Sequence, residues 1–161
     1  MIHIRRAVPL DARAMAHLLN AIIRKGGTTA YTDQITDETI KAWFAKAPHQ
    51  SVWHVAENET GALLGFQSIE PHLKLPPEAC DIATFVKVGQ TGLGIGSKLF
   101  DASSAAAFKM GYSWINATIR ADNTGGLAYY QSRGFETYAM HENQQLSDGT
   151  IVGKVSKRYD L

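Results

Sequence analysis

The apolar and polar positions of this chain change period several times. Ile2 and Ile4 alternate with His3 and Arg5, the period of a short strand. Ala14, Leu18, Ala21 and Ile22 then recur at three- and four-residue spacing, which predicts a helix with one buried face. Pro9-Leu10-Asp11 opens that helix, with proline at the entry and an acid in the first turn, and Gly26-Gly27 ends it. A polar loop, Thr28-Thr29-Ala30-Tyr31-Thr32, leads to a second helix, capped around Thr36-Asp37-Glu38 and running through Ile40, Trp43 and Phe44 toward Pro48. Ser51 to Ala56 and Ala62 to Ile69 read as strands around the polar turn Glu57-Asn58-Glu59-Thr60-Gly61. Pro76-Pro77 cannot continue a central strand, so Pro71 to Pro77 is expected to be loop.

Ile82 to Val88 reads as the next strand. A long helix from Ile95 to Met110 follows, with Leu99, Ala102 or Ser103, Ala106 and Met110 as its inward stripe and Gly111 as its stop. Trp114 to Ile119 is a strand, Thr124 to Ser132 a short helix, Phe135 to Met140 a strand, Asn143 to Gly149 a turn, and Ile151 to Tyr159 a closing strand. The order β-α-α-β-β-β-α-β-α-β-β describes one α/β (α+β) domain over residues 1–161. It has a mixed sheet of about seven strands flanked by about four helices.

Between the strand ending at Val88 and the helix starting at Ile95, glycines alternate at Gly92, Gly94 and Gly96. Such a turn bares backbone N–H groups at a helix N-terminus, where the dipole also favours an anion. Two readings are open on these residues alone: a phosphate cradle, or a tight connection that binds nothing. A P-loop needs G-x-x-x-x-G-K-[ST], and Lys98 stands one place too late after Gly96. A dinucleotide fingerprint needs G-x-G-x-x-G, and Ser97 or Leu99 occupies its third glycine position.

Composition narrows the partners. With 161 residues, 45% hydrophobic and 19% charged, the chain is long enough for one sizeable core. A formal net charge of +1 offers no broad basic face for nucleic acid. Cys80 is the only cysteine and the six histidines show no H-E-x-x-H spacing, so neither a disulfide framework nor a metal site is expected. No apolar run has the length of a membrane span, and the N-terminus lacks a signal-peptide run, so a soluble, cytoplasmic protein with no membrane partner is expected.

The glycine stretch resembles the acyl-CoA-dependent GCN5-related N-acetyltransferases, whose motif is a strand leading into [Q/R]-x-x-G-x-[G/A]. Thr91-Gly92-Leu93-Gly94-Ile95-Gly96 takes that register, with Thr91 where Gln or Arg is usual and Gln90 beside it. Downstream, Asn123, Tyr130, Gly134 and Phe135 match the family's N-x-x-A-x-x-x-Y-x-x-x-G-F segment, with Gly126 in place of alanine. Gly61-Ala62-Leu63-Leu64-Gly65-Phe66 is similar to the family's glycine-punctuated hairpin, and the element order matches over nearly the whole chain.

The resemblance implies a fourth strand splayed from its neighbour, with the pantetheine arm of acetyl-CoA in the gap against Phe85, Val86 and Val88. It implies a pyrophosphate on the N–H groups of Thr91, Gly92, Gly94, Gly96 and Ser97, and Asn123 on the pantetheine arm or as a helix N-cap. Tyr130 matches the family's general acid to the sulfur, and a phenol is protonated at neutral pH as that role requires. Tyr129 is expected to be packing or a wall of the acceptor site. Asp81 is the candidate base, with Glu70 and His72 near it. Asn20, Arg24, Thr28 and Thr29 are similar to the acceptor-binding segment of relatives that acetylate small amino acids and phosphinothricin-like molecules. Arg24 or Arg120 is a candidate to hold a substrate carboxylate. The expected function is acetyl transfer from acetyl-CoA to the amine of a small, amino-acid-like acceptor by direct attack in a ternary complex. A protein N-terminus or lysine as acceptor, and a non-catalytic acyl-CoA sensor, are the alternatives. A homodimer is common among such relatives.

Overall fold

The computed structural model describes residues 1–161 as one mixed seven-stranded sheet, in the order β1-β2-β3-β4-β5-β7-β6. The strands are β1 (His3–Arg6), β2 (Val52–Glu57), β3 (Leu63–Glu70), β4 (Ala79–Val86), β5 (Trp114–Arg120), β6 (Glu136–Gln145) and β7 (Ile151–Asp160). The helices are α1 (Ala12–Lys25), α2 (Asp37–Lys46), α3 (Ile95–Lys109) and α4 (Thr124–Ser132). A 3-10 turn over Pro9–Asp11 leads into α1. Arg5 reaches it with a forked pair of bonds to the Asp11 carboxylate at 2.8 Å each, and so fixes β1 to the start of the first helix.

The sheet is covered on both faces. On one, α1 and α2 close over Trp53, Val55, Phe66 and Phe85, with Met15, Leu19 and Ile40 fully buried between. On the other, α3 and α4 cover Ile82, Ile115, Ala117 and Ile119 with Phe100, Tyr130 and Phe135. Side chains alternate along a strand, so Asp81, Ala83 and Phe85 face the α1–α2 layer and Ile82, Thr84 and Val86 the α3–α4 layer.

Several element readings need correction. β4 starts at Ala79 rather than Ile82, because Ala79, Cys80 and Asp81 pair with β5. It stops at Val86; Lys87 still donates to the Leu64 carbonyl, but the chain then turns, with the Gln90 N–H on the Lys87 carbonyl and Gly89 at φ +86, so Val88 lies in the turn and not in the strand. The α1 stripe runs through Met15 and Leu19, and Ala14 faces solvent. The α3 stripe runs through Ile95, Leu99, Phe100, Ser103 and Ala107, leaving Ala106 and Met110 at its margin. β6 continues beyond Met140 to Gln145, past a register shift that holds Asn143 at φ 54. A local bulge lets a polar stretch remain paired where a turn was expected.

Most of the sheet is antiparallel. The exception is β4 against β5, a parallel pairing held by only Ala79–Trp114, Cys80–Ile115 and Asp81–Asn116. Beyond Asp81 the two strands separate, leaving a wedge between Ile82–Val86 and the second half of β5.

Candidate active site

The wide end of the wedge is met by the turn from β4 into α3. Gly92 and Gly94 take φ of +81 and +82, conformations that glycine adopts without a steric penalty, and a Cβ on either would meet open space. Gly94 is the N-cap of α3. No backbone or side-chain acceptor in the protein meets the N–H groups from Thr91 to Ser97. That row of unmet donors at a helix N-terminus is the chemistry of a polyphosphate cradle. Thr91 is exposed, and it contributes its backbone to the row.

Gly96 is required for another reason. Its Cβ would lie 2.7 Å from the Tyr129 ring, whose hydroxyl donates to the Gly96 carbonyl at 2.7 Å. Tyr129 is therefore the bolt between α4 and the first turn of α3, rather than a wall of an acceptor site. Gly65 plays a similar part under the turn, because a Cβ there would meet the Phe85 carbonyl at 2.8 Å.

On the α3–α4 face, Tyr130 is buried and its hydroxyl lies 2.7 Å from Thr84 Oγ1, on the part of β4 that still pairs with β3 but no longer with β5. Burial pushes its phenol well above the usual tyrosine range, so the group keeps its proton at every working pH. Gln67 on β3, fully buried, donates from Nε2 to Thr84 Oγ1 at 2.8 Å and to the Tyr129 hydroxyl at 3.2 Å.

On the α1–α2 face, Asp81 lies directly across from Glu70 in the β3–β4 register. Burial raises both carboxyls above their ordinary values. For Asp81 the bond donated by Asn116 Nδ2 at 2.9 Å opposes this, and for Glu70 the nearby Lys46 does. Tyr31 belongs to the same patch: its ring packs on Phe85, and burial together with Glu70 and Asp81 raises its phenol. Asn116 is itself held by the Tyr138 hydroxyl and donates to Thr118 Oγ1 at 3.0 Å; Thr118 continues to Ser156, and Ser156 to His141. Sequence reasoning missed Asn116, Tyr138 and Thr84. For Asn116 and Thr84 the only sequence signal is a polar residue at a buried or half-buried place in a strand, and Tyr138, exposed on β6, offers none. His72 is exposed in the loop after β3, where its Nδ1 accepts from the Lys74 N–H.

The 26–36 loop between α1 and α2 is strapped down over the β5–α4 turn. Asn123 Nδ2 donates to the Thr28 carbonyl and Arg120 Nη1 to the Thr29 carbonyl, and Thr29 is buried. Arg120 is also forked onto Asp122, so it is engaged and not a free carboxylate holder. Asn123 caps α4 by accepting from Gly126 N at 3.0 Å. A Cβ at Gly126 would sit 2.4 Å from the Asn123 amide, which explains glycine where alanine is usual. At the loop base, Asn20 exchanges two hydrogen bonds with the Ile35 backbone, at 2.9 and 2.8 Å. Asn20 thus closes the loop instead of meeting an acceptor. Arg24 is exposed on α1 and pairs with nothing.

No group of His, Cys, Asp and Glu side chains is placed to hold a metal ion, and no helix is long and apolar enough to cross a membrane. A surface hollow of about 440 Å³ between Gln131, Glu136 and Lys157 contains none of the residues along the wedge.

Comparison with known proteins agrees with this arrangement. The family model described as the Acetyltransferase (GNAT) family matches residues 14–135. YwnH of Bacillus subtilis (strain 168), whose name provisionally makes it a phosphinothricin acetyltransferase, is 26% identical over 160 residues, spanning 98% of this chain and 94% of its own. Among solved structures, a phosphinothricin acetyltransferase from Sinorhizobium meliloti in complex with acetyl-CoA superposes with a TM-score of 0.90 at 17% identity, covering 99% of this chain and 88% of that one. A ribosomal-protein-alanine N-acetyltransferase from Brucella melitensis gives 0.90 at 21% identity, covering 99% of each chain. These two likenesses establish the fold, and the family match over most of the chain establishes the kinship: this protein belongs to the GNAT family of acetyltransferases.

Proposed function

We propose that this enzyme transfers an acetyl group from acetyl-CoA to the amine of a small, amino-acid-like molecule, with both substrates bound together. The observation that carries the reading is the wedge between β4 and β5, closed at its wide end by the row of free N–H groups from Thr91 to Ser97. These residues fit the donor: Thr91, Gly92, Gly94, Gly96 and Ser97 for its phosphates, Phe85 and Val86 for the amides of its arm, and Val88 at the turn. Both ends of the Asn123 amide are engaged, so its part is to hold the rim through Thr28.

Bound acetyl-CoA supplies an activated acetyl thioester; the protein supplies position and protons. Asp81 and Tyr130 lie on opposite faces of β4, near where β5 departs. On the acceptor face, the raised carboxyls of Asp81 and Glu70 attract a cationic amine, and Asp81 takes its proton so that the nitrogen lone pair is free. Tyr31 and Phe85 wall this side, and Thr28 and Thr29 form the strapped loop beside it. Arg24, without a protein partner, is the candidate for an acceptor carboxylate. On the other face, Tyr130 keeps its phenolic proton for the departing sulfur. A loop bonded down at Thr28 and Thr29 favours a small acceptor over a peptide.

The test is thiol release from acetyl-CoA across a panel of amino-acid-like amines and alanine-ended peptides. Tyr130→Phe is expected to lower kcat by about 10²–10⁴-fold with donor affinity retained. Gly94→Val, strained at φ +82, is expected to abolish donor binding. Wild-type turnover in Tyr130→Phe, or release only with peptides, would contradict the reading.

A further inference from the structure

The phenol of Tyr130 sits at the end of a hydrogen-bonded chain whose direction is set from outside the helix that carries it. Gln67 Nε2 donates to Thr84 Oγ1 at 2.8 Å, and Thr84 Oγ1 lies 2.7 Å from the Tyr130 oxygen. Gln67 has no exposed surface, and its second amide proton is held by the Tyr129 hydroxyl at 3.2 Å. That hydroxyl in turn spends its own proton on the Gly96 carbonyl. The amide is thus pinned from both sides. The Gln67 Oε1 atom is buried without a partner. Reversing the amide would leave two N–H donors buried without acceptors in place of one oxygen, a rarer and costlier defect.

With the amide so oriented, the proton inventory is short. Thr84 Oγ1 accepts from Gln67, and an oxygen that accepts one bond becomes a stronger donor and a poorer second acceptor. The Tyr129 oxygen also lies near Thr84, but it already accepts from Gln67 and gives its proton to the Gly96 carbonyl, so the better acceptor for the Thr84 proton is the Tyr130 oxygen at 2.7 Å. The Tyr130 hydroxyl has no partner other than Thr84. When Thr84 donates, the proton left over in the cluster is the phenolic one, on the residue beside the open wedge. When Tyr130 donates instead, that proton is withdrawn into the sheet.

We propose that Thr84 and Gln67 are positioning residues for Tyr130: Gln67 orients the Thr84 hydroxyl to donate to the phenol oxygen, which leaves the phenolic proton free to be given to the leaving sulfur. The inference rests on Tyr130 acting as the acid. As the bond to sulfur is completed, the proton leaves the phenol oxygen, and the Thr84 O–H stabilises the negative charge that remains there.

Three variants test it. Thr84→Val keeps the shape and removes the donor, Thr84→Ser restores it, and Gln67→Met removes the amide. One readout is kcat against KM. The other needs no donor: the NMR resonance of the Tyr130 Cζ carbon, assigned by its loss in Tyr130→Phe, reports what the phenol oxygen accepts. Thr84→Val is expected to shift that resonance and lower kcat about tenfold, the scale of one neutral hydrogen bond, with both KM values unchanged. Thr84→Ser is expected to restore both, and Gln67→Met to shift the resonance in the direction of Thr84→Val. If Thr84→Val or Gln67→Met leaves resonance and kcat at wild-type values while Tyr130→Phe is inactive, the relay is overturned and the acid stands. If Tyr130→Phe turns over normally, the acid falls, and the relay with it.

Discussion

Asp81 shows what a single residue gives up for its position. It is a carboxyl in a strand interior, opposite a second carboxyl at Glu70, and burial holds its pKa above the ordinary aspartate value. Between the unfolded and the folded pKa, and only there, the folded chain therefore holds a proton that the unfolded chain has released. Stability from this group is full below the unfolded pKa and is lost as pH rises through the folded one. Asp81→Asn keeps an oxygen for the Asn116 amide and removes the charge. At neutral pH it is expected to raise stability by on the order of 1 kcal/mol, roughly 2–4 °C in Tm for a chain of this size. It is also expected to cost about 10²–10⁴-fold in kcat and to erase the acidic limb of the pH–rate profile. Thermal melts at two pH values and a pH–rate series check both arms. A drop in both stability and activity would make Asp81 a structural residue only.

At the scale of elements, the contact between α3 and α4 is set by Gly96 and Tyr129. Gly96→Ala puts a methyl into the Tyr129 ring, so the ring must leave and the bond to the Gly96 carbonyl with it. The expected cost is about 1–3 kcal/mol, the range for overpacking, read as a fall in Tm. Tyr129→Leu in the same background should recover part of it. The element pattern was legible in the sequence wherever period and punctuation agreed: every helix and strand appears, in order. Element ends were less legible. Ala79-Cys80-Asp81 joins β4 through a neighbouring strand that lies far along the chain, and Val88 leaves it because Gly89 turns. The glycines show the same limit. Gly92 and Gly94 are glycine for backbone conformation, as their alternation suggested. Gly96 and Gly126 are glycine because a particular side chain lies against them, which only packing reveals.

At the scale of the whole molecule, the site is assembled from pieces far apart in sequence, and the 26–36 loop joins them. It is closed at its base by Asn20, held at Thr28 by Asn123 and at Thr29 by Arg120. The family motifs singled out Asn123 and Tyr130, and the sequence resemblance suggested an acceptor role for the loop. It could not show that Asn20 and Arg120, polar residues with apparent substrate roles, are consumed in holding the chain to itself. Asn20→Ala is expected to cost about 1–2 kcal/mol, because it strips both partners from the Ile35 backbone. It is further expected to raise the KM for the acceptor severalfold while leaving that for acetyl-CoA unchanged. Separate saturation curves for the two substrates would reveal a rise in both, which would move the loop's influence to the donor side.

The short seam between β4 and β5 has one more consequence. Three residue pairs join a four-stranded block to a three-stranded one, so the backbone groups along the wedge are strand-shaped but lack the partner that a strand normally has. A donor arm lying there with its amides against Phe85 and Val86 would act as the rung that the ladder omits. Amide hydrogens of β4 facing the wedge should then exchange with solvent far faster than those facing β3, and slow on donor binding. In that sense recognition of the coenzyme would be the last step of sheet formation, deferred by the sequence until a ligand arrives to complete it.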